Sequence, residues 1–192
     1  MNQRHLQLLV SDDWRELLKE YLLPFAFGDR SHADLGDDVL EIGPGPGLTT
    51  DLVRGHVDKL TAIELDPELA ASLSNRLAGT NVDVVEADAT AMPFESTRFT
   101  GAMTFTMFHH VPTVELQDRL LAEILRVLRP GGLLVASDSV ASEDLAALHV
   151  DDIYNPVDPT TLSHRLEMIG FADIDVRSNT LGWRCHARRP SM

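Results

Sequence analysis

The stretch that decides the fold reads Val39-Leu40-Glu41-Ile42-Gly43-Pro44-Gly45-Pro46-Gly47-Leu48-Thr49-Thr50. It begins as an apolar run, stops at three glycines spaced two residues apart, and continues as the start of a helix over residues 48–53. In α/β sheets, a buried strand followed by a tight glycine-rich turn and a helix N-terminus is the usual seat of a nucleotide-like ligand. Glycine suits such a turn because it has no Cβ, so it tolerates positive φ and lets a ligand approach the backbone.

The spacing of these glycines differs from the fingerprint of dinucleotide-binding proteins. That fingerprint is Gly-x-Gly-x-x-Gly, whose backbone N–H groups and helix end hold a pyrophosphate. Here the pattern is Gly-x-Gly-x-Gly, and Pro44 and Pro46 have no N–H to donate. The turn therefore suits a nucleoside without phosphates. A tight strand-to-helix turn without any ligand is the simpler alternative, but three glycines exceed what such a turn needs.

The composition is that of a globular protein with an acidic surface. The 192 residues are enough for one domain with a full core, and 16 Lys and Arg against 30 Asp and Glu give a formal net charge of −14. Such a charge repels nucleic acid and anionic membranes unless basic residues are segregated, and the only arginine-dense run is a short one at residues 184–189. We therefore expect neither a nucleic-acid partner nor a membrane partner.

The expected location of the protein is the cytoplasm. The single cysteine, Cys185, excludes an internal disulfide and fits a reducing compartment. Because Cys185 falls in a late strand pattern, we expect a buried, inert thiol rather than a nucleophile. No apolar run approaches the roughly 20 residues that span a bilayer, and the N-terminus lacks the basic-then-apolar order of a signal peptide.

Strand and helix patterns alternate along the chain, which predicts an α/β fold with a doubly wound, mostly parallel seven-stranded sheet. The predicted strands cover residues 38–42, 59–65, 81–86, 99–106, 133–137, 172–178 and 182–188. The last two strands are joined by too few residues for a crossover helix, so they should pair as an antiparallel C-terminal hairpin. We expect a single domain over residues 1–192.

Residues 1–37 precede the first strand and form a predicted N-terminal helical extension. Residues 12–23 have the pattern of an amphipathic helix that Pro24 ends. The residues on its apolar side are Trp14, Leu17, Leu18, Tyr21 and Leu22. Such an extension can close over a ligand as a lid, or it can simply pack on the edge of the sheet.

The segment Glu41 to Gly47 resembles motif I of the class I S-adenosylmethionine-dependent methyltransferases, and a parallel sheet with one reversed C-terminal strand is their fold. Residues 128–132, Leu-Arg-Pro-Gly-Gly, resemble the turn that this family has before its fifth strand. The resemblance extends over about residues 39–137. It implies S-adenosyl-L-methionine as cofactor, methyl transfer as activity and, for this subgroup, a small-molecule acceptor.

Acidic residues at two strand ends support a bound nucleoside. Glu64 lies 17 residues after Gly47, where a carboxylate can accept both ribose hydroxyls. Asp88 follows the third strand, where its carboxylate can accept from an adenine amine while the N–H of Ala89 donates to the ring, a role that the resemblance also implies. The predicted cofactor-binding residues are Glu41, Gly43, Gly45, Gly47, Glu64, Leu65, Asp88, Ala89 and Thr106.

Three histidines are the candidate catalytic residues. His109 and His110 follow the fourth strand, where many small-molecule methyltransferases have a similar hydrophobic-His-His segment. Either could act as a general base, because imidazole titrates near neutral pH, or could only shape the pocket. His149 lies in the segment where this fold usually builds its acceptor site. The pattern His149-x-Asp-Asp could ligate a metal, but acids on a loop are more often solvated, and we predict no metal site.

One position departs from the family and three other functions compete with the predicted one. Thr100 stands where the family often has Asp, but the start of a strand is far from the site. An RNA adenine dimethylase shares motif I but needs an Asn/Asp-Pro-Pro-Tyr/Phe-like or Asn-Leu-Pro-Tyr-like signature after the fourth strand, where residues 104–110 of this chain read Thr-Phe-Thr-Met-Phe-His-His. A nicotinamide oxidoreductase is disfavoured by Pro44, Pro46 and Asp88. A non-catalytic S-adenosylmethionine-binding partner would bind cofactor without turnover. The acceptor and the oligomeric state are not predicted.

Overall fold

The structure is a computed structural model of the chain, and it describes residues 3–180 and 182–191. Its strands are β1 (Asp38–Ile42), β2 (Lys59–Glu64), β3 (Val82–Glu86), β4 (Phe99–Phe105), β5 (Leu128–Asp138), β6 (Ala172–Ser178) and β7 (Trp183–Arg188). Its α-helices are α1 (Gln3–Leu9), α2 (Asp12–Leu17), α3 (Leu23–Phe27), α4 (Leu48–Val53), α5 (Pro67–Arg76), α6 (Val114–Val127), α7 (Glu143–Leu148) and α8 (Pro159–Ile169).

The seven strands form one sheet in the order β3-β2-β1-β4-β5-β7-β6. Strands β1 to β5 pair in parallel, and β7 pairs antiparallel with both β5 and β6. The predicted doubly wound sheet with an antiparallel C-terminal hairpin is therefore confirmed. Strand order reverses at β1, which has β2 on one side and β4 on the other, so the carboxyl end of β1 is the topological switch point where ligands bind in such sheets.

Alternate residues of β1 belong to two separate apolar cores. Val39 packs with the core on the face covered by α3, α4 and α5, whereas Leu40 and Ile42 pack with the core on the face covered by α6 and α8. Both faces of the strand are buried, as expected for a parallel sheet with helices on either side. The adjacent apolar residues Val39 and Leu40 reflect this double burial.

Two of the helices begin at local capping signals that are visible in the sequence. Asp66 caps α5 by accepting hydrogen bonds from the N–H groups of Glu68 and Leu69, and Pro67 occupies the first turn. Asp158 and Pro159 begin α8 in the same way, and Gly170 ends it with a φ of 113°. Such caps depend only on neighbouring residues, so the sequence is sufficient to place them.

The N-terminal segment departs from the predicted single helix over residues 12–23. After α2 the chain forms a π-helical turn, Leu18–Leu22, and then continues through Pro24 as α3. The prediction that Pro24 ends the helix is wrong, because this proline lies in the first turn of α3, where its missing N–H is tolerated. The wider π turn shifts the helical phase, so Tyr21, expected on the packed side, is 61% exposed.

Strand β5 begins earlier than the predicted strand over residues 133–137. Residues 128–132, predicted to be a turn, belong to β5, although α6 does end just before them. Here residues 128–132 of β5 lie opposite residues 99 and 100 of β4, which makes an irregular bulge. Gly131, at a φ of 78°, stays bonded to the sheet because its N–H donates to the carbonyl of Arg189 at 2.9 Å.

Two further expectations concern Thr100 and Cys185. The Thr100 hydroxyl accepts from the N–H of Asp38 and donates to its carbonyl, both at 3.0 Å, so it ties the starts of β4 and β1 together. Cys185 is buried in β7, as predicted, and burial raises its thiol pKa to about 12, which favours the weakly nucleophilic protonated form at neutral pH. Among the described residues, no helix combines the length and apolar character that a bilayer crossing needs.

Candidate functional site

A cavity of about 480 Å³ opens at the carboxyl ends of β1 to β4, at the topological switch point. Its volume lies within the roughly 300–1,000 Å³ that is typical of ligand pockets. All but one of the predicted cofactor-binding residues line it, the exception being Gly47. The lining ones are Glu41, Gly43, Gly45, Glu64, Leu65, Asp88, Ala89 and Thr106.

The glycine turn uses its own N–H groups internally. Gly43 donates to a β2 carbonyl, Gly47 donates to the carbonyl of Pro44, and Gly45 donates to the Oε2 atom of Glu64, each at 2.9 Å. All three glycines have positive φ, between 54° and 86°. Because none of these N–H groups is left for a phosphate, the geometry agrees with the inference from the two prolines that the turn suits a nucleoside without phosphates.

The three glycines differ in what surrounds them. A Cβ on Gly43 would lie 2.3 Å from Cγ of Met107, and one on Gly47 would lie 2.3 Å from a methyl carbon of Leu73. A Cβ on Gly45 would meet nothing within 4 Å. Gly43 and Gly47 are thus needed for packing, whereas Gly45 faces the space in which a ligand can approach the backbone.

An arginine braces the turn from outside, and sequence reasoning did not find it. Nη1 of Arg76 contacts both carboxylate oxygens of Asp51, at 2.7 and 2.9 Å, and Nη2 donates to the carbonyl of Pro46 at 3.1 Å. Arg76 is the last residue of α5, 30 residues beyond Pro46. The only signal in the sequence was a basic residue in the last turn of a helix, a common feature.

Glu64 joins the turn to the end of β2. Its Oε2 accepts from Gly45, and its Oε1 accepts from the N–H of Asp66 at 3.0 Å. The side chain is nearly buried, and both bonds fix its direction at the cavity wall. A carboxylate offers about four lone-pair sites, so two further hydrogen bonds, such as those from ribose hydroxyls, can be accepted.

Glu41 is a buried acid in the middle of the site. Its Oε2 accepts from the hydroxyl of Thr50 at 2.7 Å, and the residue is only 2% exposed. Burial raises the pKa of Glu41 from 4.5 to about 7, opposed by the Thr50 hydrogen bond and assisted by the charges of Asp51 and Glu64. A cationic ligand group beside this carboxyl would favour its ionised form.

The remaining predicted contacts surround the mouth of the cavity. Asp88 is exposed after β3, and its Oδ1 caps the turn at Ala89–Ala91 by accepting from the N–H of Thr90 at 2.8 Å. Leu65 is 68% exposed at the end of β2, where it offers an apolar surface. Thr106 has a φ of 51° and donates its N–H to a β5 carbonyl, so it bends the chain at the end of β4.

The structure brings His109, His110 and His149 into contact, although 39 residues separate the last two in sequence. Only His110 lines the cavity, and His109 and His149 are buried behind it. Nδ1 of His109 lies 2.7 Å from Oδ1 of Asp138, at the end of β5. Asp138 lies 29 residues after His109, and no signal in the sequence indicated their partnership.

The N-terminal segment contributes an apolar wall to the cavity. Leu9 of α1, Trp14 of α2 and Leu18 of the π-helical turn all line it. Trp14 and Leu18 belong to the apolar side predicted from the sequence. Two of the five residues of that side therefore face the cavity.

The pattern of a protein family described as methyltransferase domain matches residues 40–136, half of the chain. The chain belongs to the class I S-adenosylmethionine-dependent methyltransferases. This confirms the resemblance inferred from residues 41–47, and the cofactor that this family uses is S-adenosylmethionine. The matched range contains the glycine turn, the strand-end acids Glu64 and Asp88, and the candidate histidines His109 and His110.

Relatives of this chain differ in the acceptors that their names state. Ribosomal RNA small subunit methyltransferase A of Bordetella petrii is 50% identical over 62 residues, 32% of this chain and 23% of the relative. Phthiotriol/phenolphthiotriol dimycocerosates methyltransferase 1 of Mycobacterium ulcerans is 32% identical over 133 residues, 66% of this chain and 47% of the relative. The chain thus spans a quarter to a half of the length of these relatives.

Solved methyltransferase structures share the fold of this chain over most of its length. A SAM-dependent methyltransferase from Methanosarcina mazei superposes with a TM-score of 0.69 at 18% identity, covering 84% of this chain and 97% of the other. At this identity the likeness concerns the fold. Function has to be argued from the site.

Proposed function

We propose that this methyltransferase transfers the methyl group of S-adenosylmethionine to a small-molecule acceptor. The observation that carries the proposal is the glycine turn at the switch point, whose N–H groups are all used internally and whose flanking acids, Glu64 and Asp88, end neighbouring strands. A phosphate-free nucleoside is the ligand that such a turn accommodates.

The residues present fit an adenosine that lies across β1. The open space at Gly45 allows the ligand to approach the backbone closely, and Glu64 offers two lone-pair sites to the ribose hydroxyls. Asp88 and Ala89 would bind the adenine, and Leu65 would cover one face of it. Glu41 lies deeper in the cavity, where its carboxyl would stabilise a cationic part of the cofactor.

The contribution of the protein to the chemistry is alignment. When bound, the cofactor supplies a methyl group already activated by a sulfonium. The chain has to hold the acceptor in line with that methyl and keep water out of a cavity with a mostly apolar wall. An acceptor hydroxyl would also have to lose a proton, and His110, which lines the cavity, is the titratable group placed to receive it.

The N-terminal helices complete the cavity as a lid in this proposal. Leu9, Trp14 and Leu18 would cover the cofactor and would have to move when it enters or leaves. The chain as a whole would act as one methyltransferase domain. The single buried cysteine supports work in the reducing cytoplasm.

A small molecule is favoured as acceptor by charge and by sequence. The net charge of −14 opposes the phosphate contacts on which RNA binding depends. The turn after β4 lacks the Asn-Leu-Pro-Tyr-like signature that grips a flipped adenine. An RNA adenine is the second candidate, because the Bordetella petrii relative, named as a ribosomal RNA methyltransferase, is 50% identical over 62 residues.

Calorimetric titration with S-adenosylmethionine and with NAD tests the cofactor site. We expect wild type to bind the former and not the latter, and Glu64→Ala and Asp88→Ala each to weaken binding at least tenfold. Glu95→Ala removes an exposed acid outside the cavity and is the matched control. Unchanged affinity in both site variants, in folded protein, would refute the assignment, as would binding of NAD alone.

Turnover separates the two acceptors and the non-catalytic alternative. Release of S-adenosylhomocysteine is followed with a panel of small hydroxylated, amino and thiol compounds, and in parallel with ribosomal RNA. We expect turnover with members of the panel and no RNA retained on filters at moderate salt. Retention of RNA with methylated adenine would instead establish the second candidate. Cofactor binding without turnover on any acceptor would contradict an enzymatic role.

A further inference from the structure

Three imidazole rings form a compact cluster beside the cavity, and we propose that this cluster binds a divalent cation of the zinc type. His109 and His110 come from the turn after β4, and His149 follows α7. One ring nitrogen from each lies within 4.8 Å of those of the other two. The ring centroids are 4.2 Å apart for His109 and His110, 4.8 Å for His109 and His149, and 5.0 Å for His110 and His149.

Partners outside the cluster orient two of the rings. Nδ1 of His149 lies 2.7 Å from the carbonyl oxygen of Leu145, one turn earlier in α7. A carbonyl only accepts, so Nδ1 carries the hydrogen and Nε2 is the nitrogen with the lone pair. Nδ1 of His109 lies 2.7 Å from the carboxylate of Asp138, which assigns the same tautomer.

These partners have the form of the outer shell of a metal site. Metal-bound histidines almost always donate their second ring N–H to a carboxylate or a backbone carbonyl, which fixes the ring and raises its basicity. Here both kinds of partner are present. Asp138 is itself held in place, because it is 3% exposed and also accepts from the N–H groups of His109 at 2.9 Å and Ser139 at 2.7 Å.

The number and kind of ligands point to zinc or a metal with similar preferences. Neutral imidazole suits Zn²⁺, and three histidines with one open position form a known type of zinc site. Around a tetrahedral ion with Zn–N bonds of about 2.1 Å, the nitrogens would be about 3.4 Å apart. The rings would therefore move together by about 1 Å on binding.

The two acids that follow His149 in sequence do not belong to this cluster. Asp151 and Asp152, which follow His149 in sequence, are absent from the group of facing ligand atoms. Asp152 accepts instead from the N–H of Ile153 at 2.8 Å. The metal-binding pattern considered in the sequence, His149 with these two acids, is thus replaced by a purely histidine set that only the tertiary structure assembles.

The position of the cluster gives the cation access to the cavity. His110 belongs both to the cluster and to the cavity wall. A ligand in the open coordination position would therefore lie beside the space proposed for the acceptor. With the cation bound, the lone pair of His110 is occupied, so an acceptor hydroxyl in that position would lose its proton to solvent rather than to His110. This consequence rests on the proposed function, whereas cation binding itself does not.

Metal titration of the full chain tests the site without any cofactor. Protein stripped with a chelator is titrated with Zn²⁺ against a coloured competitor and, separately, with Co²⁺. We expect one equivalent to bind, at least a 100-fold loss of affinity in His110→Ala and His149→Ala, and a 10- to 100-fold loss in Asp138→Asn. His164→Ala removes an exposed histidine of α8 and should bind like wild type.

Further measurements distinguish a loss of metal ligands from a loss of folding. Circular dichroism and the thermal unfolding midpoint report whether each variant is folded. The visible spectrum of the wild-type Co²⁺ complex reports tetrahedral nitrogen ligation, and X-ray absorption of the zinc complex counts the imidazoles. Substoichiometric binding by wild type, an octahedral spectrum without imidazole ligands, or equal affinity in His149→Gln and wild type would overturn the proposal.

Discussion

Glu41 should release a proton when the cofactor binds. Burial holds the carboxyl pKa near 7 instead of 4.5, so the group is mostly protonated at pH 6. S-adenosylmethionine carries a sulfonium and an ammonium group. If a positive group settles beside Glu41 in the cavity, the ionised carboxylate is favoured and the pKa falls.

The expected release follows from the two pKa values. With a pKa of about 7, about 0.9 of the carboxyl groups are protonated at pH 6, and a return to the ordinary value of 4.5 would leave about 0.03. About 0.9 proton should therefore leave per cofactor bound at pH 6, and about 0.1 at pH 8. Affinity should accordingly rise about tenfold from pH 6 to pH 8, about 1.4 kcal/mol.

Calorimetry in two buffers of different ionisation enthalpy measures this release. The amino group of the ligand titrates as well, so the quantity to compare is the difference between wild type and Glu41→Gln. The glutamine keeps an oxygen for the Thr50 hydroxyl but cannot ionise. A difference below about 0.2 proton at pH 6 would refute the placement of Glu41 beside a cationic part of the cofactor.

The same carboxyl should make the free protein less stable as the pH rises. Its folded-state pKa is raised, so the folded state binds the proton more tightly than the unfolded state. The favourable contribution is complete below pH 4.5 and is lost as the pH rises through 7, an effect of order 3 kcal/mol. Denaturant unfolding should show a decrease from pH 5 to pH 8 that is absent in Glu41→Gln, and parallel pH profiles would contradict it.

Three further predictions concern the glycine turn, the proposed N-terminal lid and the thiol of Cys185. Gly45→Ala should lower stability by about 1 kcal/mol, because Gly45 has a left-handed φ, and should weaken cofactor binding at least tenfold. Gly43→Ala should lose more stability, because its new Cβ would also meet the side chain of Met107. Gly55→Ala, at an ordinary φ, should change neither stability nor cofactor affinity. Calorimetry and thermal melts distinguish these results, and equal affinities for Gly45→Ala and Gly55→Ala would contradict the first. Trp14→Ala should speed cofactor dissociation several-fold in stopped flow without a change in melting temperature, and an unchanged rate would argue against a lid. Cys185 should not react with a thiol reagent at pH 8 until denaturant is added, because its pKa is about 12.

Local patterns were enough to predict most of the fold. The turn at residues 43–47, the capped start of α5 and the hairpin of β6 and β7 all depend on residues close in sequence, so the chain itself specifies them. Local rules failed where a neighbour from elsewhere decided the outcome. Residues 128–132 extend β5 because Arg189, just beyond β7, exchanges backbone hydrogen bonds with Gly131 and Gly132. The helical segment around Pro24 is a different case, because the π turn before it is local but has no recognisable pattern in the sequence.

The sequence by itself determined the family, the cofactor class and which strand ends carry acids, because glycine spacing and the alternation of strand and helix patterns are readable without coordinates. Only the tertiary structure decided what those residues do to one another. The bond from Gly45 to Glu64, the brace by Arg76 and the cluster of His109 with His149 join positions 19 to 40 residues apart. Sequence shows the type of such residues, but hydrogen bonds and pKa shifts depend on distances and burial that arise only when the sheet brings its strand ends together.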